Sequence, residues 1–141
     1  MKISLNRTII NVIDFQLTKI GLKGSESQNN GEFHVNFDKI YGEDLKSFEI
    51  KFNIKILDDE ECFNLKMSVS AFFDTDEDID DEFKNSSFPN VNAPAIAYPF
   101  LRAQVSQLTL ISGINPVMLP TINFTNFLKT PKSETNNQIS E

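Results

Sequence analysis

Between residues 48 and 73 the chain alternates with almost no error. Phe48, Ile50, Phe52, Ile54 and Ile56 are separated by Glu49, Lys51, Asn53 and Lys55. After Asp58–Glu61 the pattern resumes with Phe63, Leu65, Met67, Val69, Ala71 and Phe73, separated by Asn64, Lys66, Ser68, Ser70 and Phe72. A period of two is the period of a strand, so this stretch reads as two long strands, each apolar on one face and polar on the other. The four-residue break fits an antiparallel hairpin. Register is fixed too, because a slip of one residue would turn every Phe and Ile to water.

Two weaker strands precede it. Ile13, Phe15 and Leu17 alternate with Asp14, Gln16 and Thr18, and Phe33, Val35 and Phe37 alternate with His34, Asn36 and Asp38. Residues 1–11 stay ambiguous between a loose arm and an early strand. Lys23–Gly31 has loop composition, and Gly42 permits a tight bend in the connection from Tyr41 to Lys46.

Behind the hairpin, within the longest run without an acidic residue, lies 92–124, in which Arg102 is the single charge. Leu101, Val105 and Leu108 fall at i, i+4 and i+7 and predict one face of a helix over 94–112. Asn92 is placed to cap it, Pro94 suits its first turn, and Gly113 with Pro116 ends it. Val117–Phe124 is apolar but interrupted by Pro120, so it reads as an extended arm. The expected architecture is α+β: a four-stranded antiparallel sheet, a long helix as its cover, and a short C-terminal helix. One helix is thin cover for that much aromatic surface, which predicts a homo-oligomer with Leu101, Val105 and Leu108 at its interface. Residues 1–128 read as a single domain, and the polar segment 129–141 as a disordered tail.

Composition removes several function classes. The net charge of −7 argues against a nucleic-acid partner. No apolar run approaches the ~18–20 residues of a membrane span, and no signal-peptide core follows Met1, so a cytoplasmic protein without a membrane partner is expected. Eleven of the 20 acids sit in 58–61 and 74–82, which read as solvated loops. The run from Asp74 begins like a calcium loop, but Ile79 stands where glycine is required and Asn85 where the bidentate glutamate belongs. His34, the one histidine, lies on a polar strand face, and Cys62 opens a strand as a small hydrophobe. One His and one Cys do not anchor a zinc site, and no glycine-rich phosphate loop is present, so neither metal nor cofactor nor enzymatic chemistry is expected.

Strand order, helix and arm together resemble the SecB family of chaperones. The residues that carry the resemblance are Tyr98-Pro99-Phe100-Leu101-Arg102, similar to that family's aromatic-Pro-aromatic-x-Arg at the start of its long helix. Ser112-Gly113 and Leu119-Pro120-Thr121-Ile122-Asn123-Phe124 follow in the same order. The resemblance implies a dimer-of-dimers tetramer and an ATP-independent holdase that binds non-native polypeptide in apolar grooves. It implies groove-lining roles for Tyr98, Phe100, Leu119, Ile122, Phe124 and Phe127, with Phe33 and Phe37 contributed by the sheet.

Export members of that family dock on the translocase ATPase through acidic positions on the outer sheet face. The corresponding positions here, Lys51, Lys55, Asn64, Lys66 and Ser68, are basic or neutral. The sequence therefore fits better a member of a toxin–antitoxin–chaperone module, whose client is an antitoxin, than an export chaperone whose client is a preprotein. A non-chaperone assembly protein, with the apolar helix serving only as an oligomer interface, is the competing class.

Overall fold

The computed structural model describes residues 1–17, 32–58 and 63–127, and the backbone of 134–136. The expected loop at Lys23–Gly31, Cys62 and most of the tail lie outside these residues.

The two alternating segments form β3, Ser47–Asp58, and β4, Phe63–Thr75, paired antiparallel with Phe52 opposite Val69 and Ile56 opposite Leu65. The second weak segment is β2, Glu32–Tyr41, which puts Phe37 opposite Phe52. The first is longer than its pattern suggests: β1, Ile3–Leu17, runs the length of β4. Irregularities between Leu5 and Arg7 and between Ile10 and Val12 shift its register twice. Each extra residue exchanges the faces on which the following side chains point, so no single alternation spans the strand. A three-residue β5, Glu134–Asn136, pairs with β2, giving the order β1-β4-β3-β2-β5. These three residues fall inside the segment expected to be an unstructured tail.

One sheet face is the core. Phe33, Phe48, Ile50, Phe52, Ile56, Phe63, Leu65 and Phe73 are all at most 2 % exposed. Burial of each such side chain is worth roughly 1.5–3 kcal/mol.

The cover is shared among more elements than the single expected helix. A short helix α1, Asp81–Lys84, is capped by the Asp80 carboxylate, which accepts from the Phe83 amide at 2.9 Å. Its two acids in the first turn suit the helix dipole. A π-helical turn, Phe88–Asn92, then leads into α2, Ala93–Ile111. Phe83 and Phe88 pack at 5.6 and 6.5 Å from the Phe48 ring.

Half of the acidic run 74–82 is thereby part of the fold. Asp74 and Asp76 accept from Asn6 and from the Lys2 amide, and Ile79 is buried. Asn92, expected as a side-chain cap, makes no capping bond, because its backbone is already helical. The other end of α2 closes as its sequence predicts. Gly113 has φ +95°, and the Ile114 and Gly113 amides return to the Thr109 and Leu110 carbonyls. Pro99 supplies a cause for the bend of this long helix, since it has no N–H for the preceding turn.

Candidate functional site

The extended arm expected after the helix does not hang free. It folds back along α2, and its backbone groups are satisfied by α2 side chains. The Tyr98 hydroxyl donates to the Pro120 carbonyl at 2.7 Å, and Arg102 Nε donates to the Leu119 carbonyl at 3.1 Å. The Val117 amide donates to the Thr109 hydroxyl at 2.9 Å, which itself donates to the Val105 carbonyl at 3.0 Å. Tyr98, Arg102 and Thr109 stand at i, i+4 and i+11, one side of the helix. An extended segment cannot pair its own backbone, so these bonds are what allow Val117 and Leu119 to be buried.

Beyond Pro120 a last short helix, α3 Phe124–Phe127, drops two aromatic rings onto the sheet. Phe124 lies edge-on to Phe37 at 5.9 Å and to Tyr98 at 5.7 Å. Phe127 stacks on Phe37 at 5.5 Å. With Phe52 beneath, five rings from β2, β3, α2 and α3 form one cluster in which Phe37 keeps part of its surface exposed. Aromatic pairs of this kind are worth about 0.5–1.5 kcal/mol each beyond their burial. Burial also pushes the Tyr98 hydroxyl well above the usual tyrosine range, against a smaller lowering by the Arg102 charge. It therefore stays a neutral donor to Pro120.

The candidate groove residues thus separate by accessibility. Phe33, Tyr98, Leu119, Phe124 and Phe127 are buried, Phe37 and Ile122 are half-buried, and Phe100 is 47 % exposed. Of the candidate interface residues, Leu101 and Val105 are spent in the chain's own core and Leu108 packs at its margin.

The opposite face of α2 carries the surplus that the sequence pattern hid. Ile96, Phe100, Ala103, Gln107, Leu110 and Ile111 share one side of the helix, all are exposed, and none is charged. Ile111 reaches 76 % exposure, and Met118 on the arm 62 %. The spacing of Ile96 and Phe100, four apart, was the available signal. Further exposed apolar side chains lie on β1, Ile10 and Ile13 on the core side of the sheet and Val12 on the other, and the outer edge of β1 has no partner strand among the described residues.

The outer sheet face is polar and its charge pattern is uneven. Lys55 stands directly between Lys66 on β4 and His34 on β2. A shallow hollow between Asp14, Gln16, Lys55, Asn64 and Lys66 lies there, away from every groove candidate. Among the described residues no three His, Cys, Asp or Glu side chains gather as a metal would need, and no helix is long and apolar enough to cross a membrane.

Residues 22–135 match the family model described as preprotein translocase subunit SecB. An uncharacterized protein of Methanocaldococcus jannaschii is 37% identical over 59 residues, covering 42% of this chain and 37% of the relative. The match thus spans little more than a third of the length of that relative. Among solved structures, a Mycobacterium tuberculosis SecB-like chaperone, in complex with a ChAD peptide from the HigA1 antitoxin, superposes with a TM-score of 0.65. Coverage is 85% of this chain and 87% of that one, at 11% identity, a likeness of fold. A protein of unknown function from Streptococcus agalactiae gives a TM-score of 0.50 at 14% identity, over 86% of this chain and 98% of that chain.

Proposed function

The chain belongs to the SecB family of non-enzymatic chaperones, and from that premise we propose that it is a cytoplasmic, ATP-independent holdase whose physiological client is an antitoxin. One observation carries the reading. Helix α2 is apolar on two opposite faces, and only one of them is used by the chain's own core. A helix that is apolar all round is normally buried all round. Here the uncharged stripe from Ile96 to Ile111 stays open on a chain of net charge −7. Exposed apolar surface rimmed by charge is what a protein that captures non-native polypeptide requires.

The client surface, in this reading, comprises Ile122 and the accessible part of Phe37, with Tyr98, Phe124 and Phe127 as the aromatic floor beneath them, and Phe100 on the opposite face of α2. Leu119 and Phe33 are buried in the core and serve the fold. Leu101 and Val105, buried as they are, serve the oligomer only by fixing the helix. Leu110, Ile111 and the unpaired, apolar edge of β1 are the surfaces a second copy would cover, and Leu108 lies beside them. Several copies would give one client chain several weak contacts at once, and so avidity without a tight single site.

Support for an antitoxin client comes from the peptide held by the Mycobacterium tuberculosis relative, and from the lysines on the outer sheet face. The description of the family model favours a second reading, delivery of preproteins to the translocase. The test is aggregation of a chemically denatured model protein in the presence of stoichiometric amounts of this one. Unchanged aggregation sinks the chaperone reading and leaves an assembly protein. If aggregation is suppressed, co-purification with a small DNA-binding protein selects the antitoxin reading, and binding to the translocase ATPase selects export.

A further inference from the structure

β5 is an improbable strand. It is three residues long, its sequence is Glu-Thr-Asn, and the sequence on either side of it is mostly polar. Asn is among the residues that strands disfavour, and Glu is depleted as well. It nevertheless pairs antiparallel with β2, with Asn136 opposite Phe33 and Glu134 opposite Val35. What holds it there is the edge of β2, whose backbone donors and acceptors on that side need partners. Beyond Val35 that edge continues to Tyr41 with no further strand partner among the described residues.

This open stretch borders the aromatic cluster. Phe33, Val35 and Phe37 point to the core face, and Phe37 is the member of the cluster that keeps exposed surface. A polypeptide laid antiparallel on β2 would place every second side chain on that same face, beside Phe37 and the Phe127 ring that stacks on it.

We propose that the edge of β2 is a strand-accepting site for an extended client segment with apolar residues at alternate positions, and that β5 is a weak intramolecular occupant which the client displaces. The proposal rests on the holdase reading above and deepens it, by naming the conformation in which client is bound and what guards the site. Main-chain pairing gives sequence tolerance, because every client has the same backbone, and the alternate apolar side chains give the preference for non-native chains. The net charge of −7 favours neutral or basic segments. Binding to an edge that is occupied part of the time is weakened by the fraction of molecules in which the edge is free.

The test uses the full chain and two substitutions in the centre of β5. Thr135→Pro locks φ at about −65°, away from the ~−140° of an antiparallel strand, and so disfavours β5, while Thr135→Val favours it. The probe is a labelled peptide in which leucine alternates with serine and lysine. Thr135→Pro is expected to bind it about fivefold more tightly than the parent and Thr135→Val more weakly. Amide exchange at Phe33–Val35 should be faster in free Thr135→Pro and slow again when peptide is added. Equal affinity in parent and Thr135→Pro, or bound peptide that leaves the β2 amides unprotected, overturns the strand exchange while leaving the holdase reading intact. If neither parent nor variants bind the peptide or a denatured protein, both readings fall together.

Discussion

The Val117 amide donates to the Thr109 hydroxyl at 2.9 Å, and both residues are buried. This bond joins the first buried residue of the arm to the last turn of α2, and the arm carries the aromatic floor of the candidate site. Thr109→Val keeps the shape and removes the acceptor, leaving a buried N–H unpaired at a cost of about 1–3 kcal/mol. Thermal unfolding should shift down accordingly. Amide exchange at Val117 should accelerate more than exchange at Ile50 in the sheet.

Leu119 and Phe100 should behave oppositely when truncated. Leu119 is 1 % exposed, so Leu119→Ala should cost about 2–5 kcal/mol in denaturant unfolding. Phe100→Ala, at 47 % exposure, should change stability by less than about 0.5 kcal/mol. Its effect should fall instead on suppression of client aggregation, or on oligomer mass by light scattering. A large loss of stability from Phe100→Ala would place that ring in a core and remove it from the binding surface.

Both tyrosines of the chain are expected to ionise late. Burial raises Tyr41, and burial raises Tyr98 further. Because the folded values lie above the ordinary 10.0, stability from this source is complete below pH 10 and is lost as pH rises through the folded values. Tyrosinate absorbance should therefore lag a free-tyrosine titration and then appear together with unfolding. Tyr98→Phe loses the bond to Pro120, about 1 kcal/mol, and flattens the alkaline part of the stability curve. Tyr41 has a buried hydroxyl with no hydrogen-bond partner among the described residues, so Tyr41→Phe should be neutral or mildly stabilising.

Reversing one charge should improve the outer sheet face. Lys55 faces Lys66 across one strand pair and His34 across the other. Lys55→Glu turns a repulsive cross-strand pair into an attractive one, worth about 0.2–1 kcal/mol at low salt. The gain should shrink as ionic strength rises. A loss of stability at low salt would show that Lys55 is compensated by a partner in the native protein.

The hairpin was legible because nothing interrupts its alternation: the strands expected over 48–56 and 63–73 form as Ser47–Asp58 and Phe63–Thr75. β1 was half hidden because its two register shifts change the phase of the pattern, so that Ile10 and Ile13 share a face although they stand an odd number of positions apart. Helix α1 was concealed inside an acidic run that looks like a solvated loop, although an Asp followed by two acids and a Phe is a fair start signal. For α2 the Leu101–Val105 face was read and the Ile96–Phe100 face was not, since either satisfies a helical period. The fold-back of the arm depends on bonds between residues 8 to 22 apart in the chain, and no local pattern encodes those.

The position of β1 also has a bearing on the order in which the molecule assembles. β2, β3 and β4 are neighbours both in the chain and in the sheet, so each pairing closes only a short loop. The strand that precedes them in the chain has no such neighbour: Ile3 must wait for Thr75. Loop-closure entropy then makes the β2–β3–β4 meander the natural nucleus and β1 the late arrival. Mutations such as Ile13→Val should accordingly speed unfolding and leave the folding rate almost untouched, whereas Ile54→Val should slow folding. Until β1 docks, the nascent chain displays the bare edge of β4, and for that interval it is itself the kind of polypeptide that a holdase binds.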